Sequence, residues 1–315
     1  MARLITSGLE LGLTGIKTGE HIELSGSGIS SDAVTFYSGT KALKLDSGAD
    51  NGRPYGIVTL ASPPAPGETL YVQYRFRVAT LPSAAATIYR QFFGTGGEAH
   101  VRLGTDGKLR LFVGGSQVGS DSSQTISTNT WYRLAVGTTI VGGASDDALE
   151  ARLDGAAACS ASSLNLATAH SADIMVGWYD DPGGPGANRV IYIDDLIVNS
   201  SAGASANTWP GDEKVVYLVP TADAQVGTWT GGSGGTSNLF DAINNLPPIG
   251  TASESNTTQI ESADSTPDNA TDEYRGSLTT YTAAGIVAAD TITVVHPIVG
   301  HGEDVTSGTK AGTLG

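Results

Sequence analysis

Residues 190–199, VIYIDDLIVN, constrain the fold more than any other part of the chain. Ile191 and Ile193 alternate with their neighbours, the acid pair Asp194 and Asp195 shifts the phase by one, and alternation resumes at Leu196 and Val198. Successive side chains of a strand point to opposite faces, so a phase shift that keeps the apolar set on one side needs one inserted residue. The expectation is a bulged strand that buries one face.

The same reading extends along the chain. In residues 70–78, LYVQYRFRV, Leu70, Val72, Tyr74, Phe76 and Val78 point one way, and Tyr71, Gln73, Arg75 and Arg77 the other. Runs at 42–45, 55–60, 88–93, 100–103, 131–140, 148–153 and 174–178 have strand length. The turn Asp106-Gly107 leads into Leu109, Leu111 and Val113 as a hairpin. Residues 148–153 are expected to pair with 131–140, and Trp131 is placed in the core because it begins an alternating strand. The 42 Gly and 13 Pro are spread as turn punctuation rather than periodic. No window forms a long amphipathic helix. About a dozen short strands describe an all-β, two-sheet antiparallel sandwich.

Charge and cysteine usage narrow the function classes. Residues 1–200 hold 14 Lys and Arg against 19 Asp and Glu, a net −5, and residues 201–315 hold 3 against 13, a net −10, which together make the −15 of the whole chain. Such a balance argues against nucleic acid and anionic membranes as partners. Cys159 is the one cysteine, which excludes an intrachain disulfide, and its run AAACSASS favours a small packed residue over a reactive thiol. The start MARLITSGLELG has no apolar h-region and no run approaches 18 apolar residues, so neither a secretory signal nor a membrane span is expected.

The order GTKALKL, LYVQYRFRV, DGKLRLFVGG, TWYRLAV, MVGW, IYIDDLIVN resembles the laminin-G-like, concanavalin A-like jelly roll over nearly all of residues 1–200. SGLELG at 7–12 is similar to openings of bacteriophage proteins that carry this module. Residues 201–212, with SAGASAN, read as a linker, and 213–315 as a smaller, mostly β assembly or display domain. Within the latter, 214–219, 273–281 and 291–299 are strand candidates, 238–245 (NLFDAINN) a short helix, and 249–269 a long loop. The order GDEKVVYLVPTADA, Trp, LFDAI, acidic stretch, EYR resembles the C-terminal part of phage and prophage minor structural proteins.

Candidate chemistry is sparse. The laminarinase-like branch of the fold carries E-x-D-x-x-E on one strand, and this chain has no such string. The consecutive acids Asp146-Asp147, Asp180-Asp181 and Asp194-Asp195 point to opposite faces of a strand and cannot line one cleft. The resemblance implies calcium at the sheet rim, with Asp180, Asp181 and Asn188 around the loop YDDPGGPGAN and Asp194 as ligands. The same loop also reads as an ordinary self-capped turn. Trp178 and Tyr179, beside that loop, are the candidates for stacking on a glycan, with Tyr37 and Tyr55 behind them. The five histidines are scattered, and no G-x-S-x-G elbow occurs.

The resemblance and the missing catalytic set lead to a non-enzymatic bacteriophage virion structural protein. It would decorate a capsid or belong to a tail, assemble in the host cytoplasm, bind other virion proteins as a homo-oligomer, with a trimer as the expected form, and contact host cell-surface glycan. No cofactor beyond the calcium is implied. The alternative is a carbohydrate-active enzyme or carbohydrate-binding module acting on bacterial polysaccharide.

Overall fold

The computed structural model describes residues 3–9, 22–48, 53–93, 97–143, 145–170, 173–179 and 189–215, together with four short strands further on. The chain divides into two compact units, Met1–Leu218 with Thr280–Thr293, and Val219–Thr279 with Val294–Gly315.

The first unit is a sandwich of two antiparallel sheets. The eight-stranded sheet runs β13 (Ala156–Leu164), β12 (Asp147–Leu153), β11 (Trp131–Thr139), β6 (Thr69–Val78), β15 (Val190–Ser200), β4 (Ala42–Asp46), β3 (Ile29–Asp32), with β1 (Arg3–Ser7) also on β15. The seven-stranded sheet runs β10 (Ser116–Val118), β9 (Leu109–Val113), β8 (Gly97–Leu103), β7 (Ala86–Phe93), β14 (Asp173–Tyr179), β5 (Tyr55–Thr59), β2 (Ile22–Ser25). Among the described residues there is no helix.

Alternation explains the core. Leu70, Val72, Tyr74, Phe76 and Val78 of β6 are all fully buried between the sheets, as are Ile191 and Ile193 of β15. Burying such side chains is worth about 1.5–3 kcal/mol each. Tyr74 joins the layers by donating from its hydroxyl to the carbonyl of Ile88 (2.7 Å). The expected bulge is present: the β15–β6 register shifts between Asp194 and Ile197, and Asp195 takes a positive φ of 48°. The Asp106-Gly107 hairpin and the pairing of β11 with β12 also stand as expected.

Five strands lie outside the expected runs, among them β2 and β10, of four and three residues. β1 and β3 are short and polar, and β13 is built from AAACSASSL, whose small side chains carry little apolar signal. Cys159 on β13 is buried, and burial pushes its thiol up to about 12, as suits a packed residue.

The second unit contains β16 (Pro220–Gln225) paired with β19 (Arg275–Leu278), and β17 (Trp229–Gly231) paired with β18 (Ile260–Ser262), both antiparallel. β19 lies inside the 273–281 candidate, and β18 interrupts the 249–269 stretch taken for a loop. Of the 214–219 candidate, residues 214 and 215 are irregular rather than strand, the amide of Val215 bonding to Asp195 instead of a ladder, and 216–219 lie outside the described residues. The expected helix at 238–245 and strand at 291–299 lie outside the described residues.

Candidate functional site

The outward face of the eight-stranded sheet holds most of the chemistry. Register fixes its rows. Trp131 of β11 stands opposite Arg77 of β6, Arg77 opposite Tyr192 of β15, and Tyr192 opposite Lys44 of β4. One row therefore reads ring, cation, ring, cation across four strands. The next row is Arg133, Arg75, Asp194.

A strap made of residues 207–215 crosses this second row and those beyond it. Trp209 packs on Tyr71 (centroids 5.0 Å) beneath the guanidinium of Arg152 (4.1 Å) and fills the space left by Gly137, where a Cβ would stand 2.7 Å from the indole. Gln73 donates to the carbonyl of Gly211 (3.0 Å). Asp212 bridges the guanidiniums of Arg75 and Arg133, and Glu213 accepts from Arg3 (2.7 Å). Lys214 lies 5.7 Å over the ring of Tyr37. The strap forms no ladder with the sheet; side chains and single backbone groups hold it.

The strap ends on the acid pair of the bulge. Asp195 accepts from the amide of Val215 (2.9 Å) and the hydroxyl of Ser38 (2.7 Å), and Asp194 accepts from the amides of Tyr37 (2.7 Å), Ser38 (3.1 Å) and Asp195 (2.8 Å). Both carboxyls are buried. Burial, reinforced by the neighbouring Asp195, pushes Asp194 up to about 8 against the pull of the three amides. Asp194, a calcium-ligand candidate from the sequence, is thus taken up by backbone donors. The other three residues of that set, Asp180, Asp181 and Asn188, lie outside the described residues. Among the described residues no group of three or more His, Cys, Asp or Glu is placed to hold a metal ion.

The glycan-stacking pair separates. Trp178 is fully buried, with Arg189 over its ring (5.4 Å), so its face is closed to a sugar; its place on β14 points inward. Tyr179, one residue on, points outward, lies edge-on to Tyr55 (5.6 Å), and carries Arg90 on its face at 4.2 Å. Trp131 corrects the core expectation: it is half-buried on the outward face, sharing the parity of Arg133 rather than of Leu134. Its ring meets Tyr37 edge-on at 6.0 Å.

The outward face of the seven-stranded sheet is a self-contained polar layer. Arg90 lies over Phe92 and Tyr179 and pairs with Glu98, and Arg102 lies 3.8 Å over Phe112. His100 is buried between them, 3.3 Å from Thr87 and 3.0 Å from Glu98. Here the ring faces are already covered by guanidiniums. An open groove of about 630 Å³ along β12 and β13 is lined by small side chains such as Ala148, Ser160 and Ser162, and its ionisable residue, Glu150, is tied to Arg152 (2.8 Å).

No family model and no curated protein matches the chain. Several solved structures share the sandwich. Cellulose induced protein Cip1 has a TM-score of 0.49 at 15% identity, with 66% of this chain and 100% of that one covered. The endo-β-1,4-glucuronan lyase of the fungus Trichoderma reesei has 0.41 at 14%, covering 63% and 93%. The binding domain of Paraclostridial Mosquitocidal Protein 1 has 0.44 at 14%, covering 63% of this chain and 48% of that one. These likenesses are of fold alone. The expectation of a non-enzyme is withdrawn, since a polysaccharide lyase is among the structures that share the sandwich.

Proposed function

We propose that the protein binds glycan on the outward face of its eight-stranded sheet, as a virion protein of a bacteriophage that meets a host cell surface. The observation that carries the glycan reading is the row beside the strap, which no carboxylate of the strap reaches among the described residues. Trp131 and Tyr192 are half-buried there, with Arg77 between them, 5.5 Å over the ring of Tyr192 and bonded to Asn129 (3.1 Å), while no cation lies over the indole of Trp131 among the described residues. Pyranose rings present C–H faces that pack on aromatic rings, and their hydroxyls suit planar donors and amides. Rigid strands hold such groups in place better than loops do.

The virion setting is supported by the two ordered sequence resemblances, and its partners would be capsid or tail proteins and further copies of the chain. The test has two arms. The purified protein is passed over immobilised host-surface polysaccharides, and particles are labelled with antibody and viewed by electron microscopy. Retention that Trp131→Ala and Tyr192→Ala abolish, with label on head or tail, supports the proposal. No retention on any of these polysaccharides removes the glycan reading, and unlabelled particles remove the virion setting.

A further inference from the structure

We infer that the glycan held by this row is an acidic polysaccharide lying across the strands, a sugar face on Trp131 and its carboxylates at Lys44 and at Arg77, whose guanidinium Tyr192 supports from its ring. This rests on the glycan reading above and names the class of ligand.

The first support is ion-pair bookkeeping on one face. Arg3, Arg75, Arg133 and Arg152 each face a carboxylate, from Glu213, Asp212, Asp212 and Glu150 respectively. Arg77, among the described residues, makes no ion pair; its guanidinium lies over the ring of Tyr192 (5.5 Å) and donates to the neutral amide oxygen of Asn129 (3.1 Å), so no carboxylate neutralises it. Lys44 has Asp46 at 3.6 Å, with side chains 30% and 34% exposed, a contact too solvated to hold the ammonium against a better anion. In a chain of net charge −15, two under-used cations on one row mark a place for negative charge from outside.

The second support is spacing. Neighbouring strands lie about 4.8 Å apart, so Arg77 and Lys44, two strands apart, are separated by roughly 10 Å, and so are Trp131 and Tyr192. Rings and cations are thus interleaved at one strand per step. A polymer with a flat apolar face and a carboxylate on every unit or on every second unit can place charge at that repeat. Duplex DNA, with about one charge per 1.7 Å, does not: two cations 10 Å apart leave most of its charge facing an acidic protein.

The third support is the boundary of the row. Tyr37, held by Arg75 (4.1 Å) on one side and edge-on to Trp131, stands between the row and the strap. Beyond Lys44 the register continues to the exposed Ser30 of β3. A chain laid along the row therefore has a wall on its strap side and an open exit over the β3 edge. Arg77 can bond a carboxylate through two parallel N–H groups, a geometry that Lys44 does not offer, so the larger share of the charge recognition falls on Arg77.

The test uses the full chain in affinity electrophoresis and titration calorimetry with polygalacturonate, alginate and hyaluronan, each beside its carboxyl-reduced form. The expected result is binding of at least one acidic polymer, weakened roughly tenfold or more by carboxyl reduction and by Arg77→Gln, and less by Lys44→Gln. Arg110→Gln, on the other sheet, leaves binding unchanged, and thermal melts confirm that all variants fold. Equal binding of acidic and reduced polymers overturns the inference while leaving the glycan reading in place. Binding untouched by Arg77→Gln and Lys44→Gln, or matched by a duplex DNA fragment, overturns it as well. Binding of none of these polymers in either form overturns the inference, and the host-polysaccharide columns then decide the glycan reading separately.

Discussion

Gln73, Arg75 and Arg77 stand on one strand and point the same way, yet Gln73 and Arg75 are 1% and 6% exposed while Arg77 is half-buried and open to solvent. The difference lies in what crosses above them. Over Gln73 and Arg75 the strap supplies a carbonyl and a carboxylate, and the polar groups there are spent on holding the protein's own chain. Over Arg77 no carboxylate arrives among the described residues, and the ring–cation row is left for something else. One sheet face thus divides into a half that holds the strap and a half left open for the proposed glycan, and the dividing line is the path of residues 207–215.

Removing the strap's anchor is the strongest way to break that division. Trp209→Ala empties the contact with Tyr71, Arg152 and Gly137; since the indole is only partly buried, we expect a loss of about 2–3 kcal/mol in chemical denaturation, at the low end for a large aromatic. Gly137→Val attacks the same contact from below: a Cβ 2.7 Å from the indole forces the ring away, at a cost of about 1–3 kcal/mol and with a red shift of tryptophan emission. Asp212→Asn leaves two largely buried guanidiniums without their shared carboxylate. Because Asp212 itself is 72% exposed, the loss should be near 1 kcal/mol and grow smaller in high salt.

The acid pair at the end of the strap gives a pH test. Asp194 is raised from 3.8 to about 8 in the folded chain, so the fold keeps a proton that the unfolded chain releases. Stability should therefore decline as pH rises through the window from about 4 to about 8, then level off. Asp194→Asn should flatten that decline relative to the parent chain, and the difference between the two melting curves isolates this group from His170, whose burial acts at the acidic end. The smallest stability effect belongs to the open half: Arg77→Gln should change stability little, within about 0.5 kcal/mol, while weakening binding roughly tenfold or more. A large loss of stability there would mean that the row is structural too.

Parts of this arrangement are legible in the chain itself. The nine-residue alternation of 70–78 assigns every β6 side chain to a face, and the phase slip at Asp194-Asp195 announces the bulge. The parity of WYRLAV also puts Trp131 with Arg133 and Ala135, away from Tyr132, Leu134 and Val136; following it would have placed that indole on the outside. Trp178 and Tyr179 show the reverse case, where a nearby glycine-rich loop drew attention to both rings although neighbours on a strand face opposite ways. β13 escaped because AAACSASSL lacks the branched and aromatic residues that mark a strand; as an edge strand it needs fewer of them.

The sequence by itself determined the all-β class, the inward set of β6 and β15, and the bulge, because period-two alternation is a local property of the covalent chain. Which strands became neighbours was decided only in the tertiary structure. The row Trp131, Arg77, Tyr192, Lys44 joins four segments by register, and the burial of Gln73 and Arg75 depends on residues more than 130 positions away. Local alternation tells a side chain which way to point; only the packed fold settles what it meets there.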